Sequence, residues 1–162
     1  MTYIFPETDI PIKKYHFGDK IINGQISNFP IFFSYDYIDI KQTDFSFSQK
    51  CLNNFDIIKY FKKVKDISNK TLNELIDDSD FKEHFHIYNN PRGKLLSLIK
   101  IISGKKHIKD EELPSIGQFA LYTHPKGSSR SKGIKSPRIF FIVGHSSILY
   151  IILYDPYHEI KE

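Results

Sequence analysis

The chain of 162 residues carries a formal net charge of +4, from 23 basic and 19 acidic residues, with 40% apolar residues, 14 Phe, 10 Tyr and no Trp. Its length suits one domain over 1–162, and its apolar content is too high for a disordered chain, so a folded protein with a ring-rich core is expected. A single cysteine, Cys51, excludes an intramolecular disulfide, no window reaches the roughly 18 apolar residues of a membrane span, and the first ten residues, with Pro6, Glu7 and Asp9, lack the basic-then-apolar order of a secretory leader; a cytoplasmic protein without membrane contact is the expectation.

Residues 29–49 crowd aromatic and β-branched side chains, from Pro30-Ile31-Phe32-Phe33 through Tyr35, Tyr37 and Ile38. After the Lys41-Gln42-Thr43-Asp44 break, Phe45 and Phe47 alternate with Ser46 and Ser48. Two strands are predicted here, the second with one buried face. Leu52, Phe55, Ile58 and Phe61, joined by Ile57 and Val64, recur at three-to-four spacing with lysines between them, which predicts an amphipathic helix over 52–66 buried on that apolar stripe.

Thr71-Leu72-Asn73-Glu74 has the form of a capping box, so a second short helix is expected from 71, fading at Asp77-Asp78-Ser79-Asp80. Phe81 to Tyr88 satisfies neither period cleanly, and a strand over 84–88 is the reading. Leu95 to Ile102 reads as a buried helix stopped by Ser103-Gly104. In the last 47 residues, Ser115–Thr123, Arg138–Val143 and Ile148–Tyr154 have strong β propensity, and Gly144-His145-Ser146-Ser147 separates the last two as a hairpin turn. The resulting fold class is α+β, a mainly antiparallel sheet with helices packed on one face.

Charge is distributed unevenly. Lys126, Arg130, Lys132, Lys135 and Arg138 crowd the connection between the strands at 115–123 and 138–143, and no acid interrupts them. Glycines, serines and repeated cations suit the RNA backbone, where each neutralised phosphate releases counterions. A loop kept soluble by the same residues would look alike, and the spacing is not that of a P-loop.

Arg138, just after Pro137, offers a planar donor fork, while His145 and His158 can exchange protons near neutral pH. The two histidines flank opposite ends of the last strand, roughly 20 Å apart by strand rise, so only one can join Arg138. That one is His158, because Arg138 begins its strand beside the end of the antiparallel neighbour. Tyr157 is placed to stack on a base. Asp155-Pro156 ends a strand without any catalytic role, since proline cannot donate to the ladder. His84 and His86, with Glu83 or His107, fall short of the four ligands of structural zinc, so no metal site and no cofactor are assigned. Cys51 reads as a small buried side chain.

From Arg138-Ile139-Phe140-Phe141-Ile142-Val143, through the short turn, to Ile148-Leu149-Tyr150-Ile151-Ile152-Leu153 and the histidine-bearing tail, the chain resembles the closing hairpin of RelE/ParE-like ribonuclease toxins. The helix pair at 52–66 and 71–77 resembles their helical hairpin. The resemblance implies metal-independent cleavage of messenger RNA, with Arg138 and His158 as catalytic residues, Lys126 and Arg130 as binders, and an antitoxin as protein partner. The aromatic N-terminal third and residues 84–113 have no counterpart in that family. A Leu-rich helix followed by a strand ending in Asp-Pro-x-His also resembles small uncharacterised bacterial proteins of mobile elements, which implies no activity.

Two functions are therefore expected. The first is a small basic RNA-binding protein acting as a metal-independent endoribonuclease of toxin type, with Arg138 and His158 catalytic and Lys126, Arg130, Lys132, Lys135 and Tyr157 binding substrate. The alternative is a non-enzymatic protein-interaction module that uses its aromatic N-terminal strands.

Overall fold

The computed structural model describes residues 30–78, 84–123, 134–144 and 147–161. Among these residues five strands, β1 (Phe32–Ser34), β2 (Phe85–Tyr88), β3 (Ile116–Ala120), β4 (Arg138–Val143) and β5 (Ile148–Asp155), form one sheet in the order β1-β5-β4-β3-β2. Only β1 runs parallel to its neighbour; the other three pairings are antiparallel. Three helices join them among the described residues: α1 (Asn54–Ser68), α2 (Leu72–Asp77) and α3 (Gly93–Ser103). The α+β, mainly antiparallel class holds.

The helices divide between the two faces of the sheet instead of sharing one. Ile139, Phe141 and Val143 of β4 point into a cluster with Tyr60 and Ile67 of α1 and Leu72 and Leu75 of α2. Their neighbours Phe140 and Ile142 point the other way, into a cluster with Leu95, Leu98 and Ile99 of α3 and Ile160 of the tail. Because both faces are covered, β4 is buried from end to end. Its side chains can then be apolar at successive positions, where a half-exposed strand would alternate.

Local signals in the sequence explain most boundaries. Asn53 caps α1 by accepting from the Asp56 amide at 3.0 Å. The Thr71–Glu74 capping box closes reciprocally, with the Glu74 amide donating to Thr71 Oγ1 at 3.2 Å and the Thr71 amide to Glu74 Oε2 at 2.6 Å. Gly104 ends α3 with φ of 68°, a left-handed conformation that glycine takes without a Cβ clash.

Residues 45–48 do not form the second strand that their alternation suggests; they lie in turns. The cause is Asp39, a buried carboxylate that accepts from the Gln42 amide at 2.7 Å, the Thr43 amide at 3.0 Å and the Thr43 hydroxyl at 2.6 Å. These bonds fold the chain back before a ladder can start. The stretch still supplies backbone partners to β5: the Asp39 amide donates to the Ile152 carbonyl, and the Phe45 carbonyl accepts from the Tyr154 amide, both at 2.8 Å. A bulge lies beside this contact, where the β4–β5 register passes from Phe140↔Leu153 to Phe141↔Ile151 and leaves Ile152 as the extra residue.

The inward face of α1 also differs from the apolar stripe in its sequence. Asp56, Tyr60 and Ile67 are buried, while Phe55, Ile58 and Phe61 are 56%, 55% and 61% exposed. The helix is turned so that a carboxylate, not a phenylalanine, meets the sheet.

Candidate functional site

That inversion follows from what Asp56 meets. Its carboxylate is fully buried and accepts from three side chains at the sheet end formed by the close of β3 and β5 and the start of β4. Tyr122 Oη donates to Oδ1 at 2.7 Å, Tyr154 Oη donates to Oδ2 at 2.7 Å, and Lys135 Nζ donates to Oδ2 as an ion pair. Lys135 Nζ also donates to the Cys51 carbonyl, just before α1. A buried carboxylate is tolerated only when so satisfied.

Burial alone would raise the Asp56 carboxyl, but the hydrogen bonds from Lys135, Tyr122 and Tyr154 and the Lys135 charge outweigh it and hold the group below its ordinary value. The tyrosines move the opposite way. Burial, then the hydrogen bond to Asp56 and its negative charge, push both the Tyr122 and Tyr154 phenols up, so each stays a donor at physiological pH. Every group of this centre has its partner within the protein, which makes it a fixed joint between α1 and the sheet.

The residues singled out from sequence meet different fates. Arg138 and His158 are brought to the same sheet end, since Arg138 is the register partner of Asp155, three residues before His158. The Arg138 guanidinium is nevertheless buried, with Nη1 donating to the Ser136 carbonyl at 3.0 Å, the Ser136 hydroxyl at 3.1 Å and the Pro137 carbonyl at 3.3 Å. Lys135 is held by Asp56. His158 is half-buried in a left-handed conformation with φ of 55°.

The turn around His158 is built by Asp155, whose carboxylate accepts from the Tyr157 amide at 3.3 Å, the Glu159 amide at 3.0 Å and the Ile160 amide at 2.8 Å. Tyr157 is 38% exposed. Lys126, Arg130, Lys132 and His145 lie outside the described residues. Among the described residues, no three His, Cys, Asp or Glu side chains gather as a metal site would require, and no helix is long and apolar enough to cross a membrane.

Two features escaped sequence reasoning. Asp56 is separated from its donors by 66, 79 and 98 residues, and nothing local in the sequence marks it apart from its place as an acid in the first turn of α1. The second feature is the outward face of α1. Successive residues of a helix turn by about 100°, which orders that face as Phe61, Lys65, Ile58, Lys62 and Phe55. All five are exposed. Phe55 packs edge-on against Tyr122 at 5.4 Å and carries Lys59 Nζ at 5.2 Å from its ring centre. Phe61 packs against Tyr60, whose hydroxyl donates to Tyr35 Oη at 3.0 Å, and Tyr35 and Phe32 are themselves exposed.

No family model, no curated protein and no solved structure matches the chain.

Proposed function

We propose that the protein is an interaction module that binds another protein through the outward face of α1, with Tyr35 beside it. One observation carries this reading: Phe55, Ile58 and Phe61 are each more than half exposed on one helix face. Scattered exposed apolar residues are ordinary, whereas large side chains gathered on one element mark interaction sites. The aromatic N-terminal region contributes through Tyr35, in keeping with the alternative drawn from sequence, although α1 supplies most of the face.

A photo-cross-linking residue at position 61, compared with one at the exposed Ser97 on the other side of the sheet, tests the reading in cells of the source organism. Expected is one identified protein captured from position 61 alone. Purified, that protein should bind the wild-type chain and lose binding to Phe61→Ser. Equal capture from both positions, or none, overturns the reading.

Tyr157 favours RNA binding as a second reading. It is exposed next to Pro156, whose carbonyl accepts from the Ser136 amide at 2.9 Å. An exposed ring thus stands beside the residues that flank the cationic segment in sequence, an arrangement suited to stacking on an unpaired base. Mixed single-stranded RNA titrated with EDTA present should bind in a salt-dependent way and weaken with Tyr157→Ala. Binding that is absent, or indifferent to salt, removes this reading.

A further inference from the structure

We infer that the partner seated on α1 is an acidic amphipathic helix, a conclusion that rests on the interaction reading above. The outward face alternates apolar and cationic side chains in the order Phe61, Lys65, Ile58, Lys62, Phe55, with Lys59 over the Phe55 ring. Asp56, the acid that would otherwise offset these lysines, is buried under the helix and held by Lys135. Asp66, at the edge of the face, is the one exposed acid of α1. The exposed charge of this helix is therefore predominantly positive.

Charge and geometry together select the occupant. A second copy of the chain would bring the same lysines against one another, and like charges across an interface oppose association. A helix lying on a lipid surface keeps its cations on the polar flank of a continuous apolar stripe. Here Lys62 and Lys65 stand within the stripe. A partner helix with apolar anchors at three-to-four spacing and carboxylates between them would cover Phe55, Ile58 and Phe61 and pair with the lysines. The apolar area supplies most of the affinity, and the ion pairs set the choice of partner.

The test uses the full chain and two designed helical peptides of the same apolar pattern, one with glutamates and the other with lysines at the polar positions. Fluorescence anisotropy should show the acidic peptide binding at least ~tenfold more tightly than the basic one, and Phe61→Ser should weaken it by ~tenfold or more, the effect of losing one large anchor. Lys62→Glu with Lys65→Glu should invert the preference. Unchanged circular dichroism and urea midpoints for these variants exclude unfolding as the cause. Equal binding of the two peptides, binding of neither, or retained preference in the double charge reversal overturns the inference. So does co-sedimentation with phosphatidylglycerol vesicles without peptide binding, or a concentration-dependent dimer lost in Phe61→Ser. If position 61 still cross-links a protein in cells when the acidic peptide fails, only the partner's chemistry is refuted; if both fail, the interaction reading falls with it.

Discussion

Lys135 donates to the carboxylate of Asp56 across 79 residues of sequence, joining the first turn of α1 to the residue three places before β4. Tyr154, at the far end of β5, donates to the same carboxylate at 2.7 Å. One acid thus ties a helix to two strands and sets which side of that helix meets solvent.

Replacing Asp56 with Asn removes the charge that Lys135 pairs with and one of the acceptors used by the tyrosines. Loss of one partner from a buried pair costs about 3 kcal/mol, and a urea titration should show a midpoint lowered accordingly. Tyr154→Phe, which deletes one hydrogen bond and leaves the ion pair, should cost about 1–2 kcal/mol. A larger loss in Tyr154→Phe than in Asp56→Asn would contradict the central place given to the carboxylate.

The joint also carries a pH signature. Because the folded protein holds the Asp56 carboxyl below its ordinary value of 3.8, the stability it contributes is present above that value and is lost as pH falls through the lower folded one. The stability difference between wild type and Asp56→Asn should be constant from neutral pH to about pH 5 and shrink below about pH 4. Denaturation series at several pH values measure it; a difference that grows on acidification would show the shift to have the opposite sign.

Arg138 is predicted to act in folding. Its guanidinium Nη1 holds Ser136 and Pro137 at the entrance to β4, and a lysine ammonium, a compact and strongly hydrated charge, is costlier to bury at that place. Arg138→Lys should lower the thermal midpoint and cost about 1–3 kcal/mol. An unchanged midpoint would mean that the guanidinium contributes nothing to holding that turn.

Gly117 on β3 lies under the Phe141 ring, where an added Cβ would come within 2.2 Å of the ring edge and 3.0 Å of the His86 carbonyl. Phe141 is fully buried and has no room to retreat. Gly117→Ala should therefore destabilise by about 1–3 kcal/mol, as overpacking does, although alanine is the better residue for an open strand. A neutral effect would place the Phe141 ring elsewhere.

The elements that sequence made legible were those with local causes. The hairpin of β4 and β5, the Thr71–Glu74 box and the Gly104 stop each depend on residues a few places apart. The failures had two origins, one local and one long-range. Phe45 and Phe47 alternate as a strand does, but Asp39, through bonds to the amides three and four residues on, folds that segment into turns, a cause that the alternation masks. In α1, Phe55, Ile58 and Phe61 satisfy the helical period as well as Asp56, Tyr60 and Ile67 do. Hydrophobicity favours the first set, and only the three donors to Asp56, all distant in sequence, reverse the choice. Lys135 looked available to phosphate for the same reason, because its partner is set by α1 packing, whereas Arg138 is taken up by its own chain neighbours Ser136 and Pro137.

The orientation of α1 underlies both the polar joint and the proposed docking face, and a pair of urea titrations tests it most directly. Phe61→Ser should leave stability within about 0.5 kcal/mol, as at an exposed position. Ile67→Ala, in the core beneath the same helix, should cost about 2–4 kcal/mol. The reverse order, with Phe61→Ser destabilising and Ile67→Ala tolerated, would mean that the apolar stripe faces the sheet and would contradict the account.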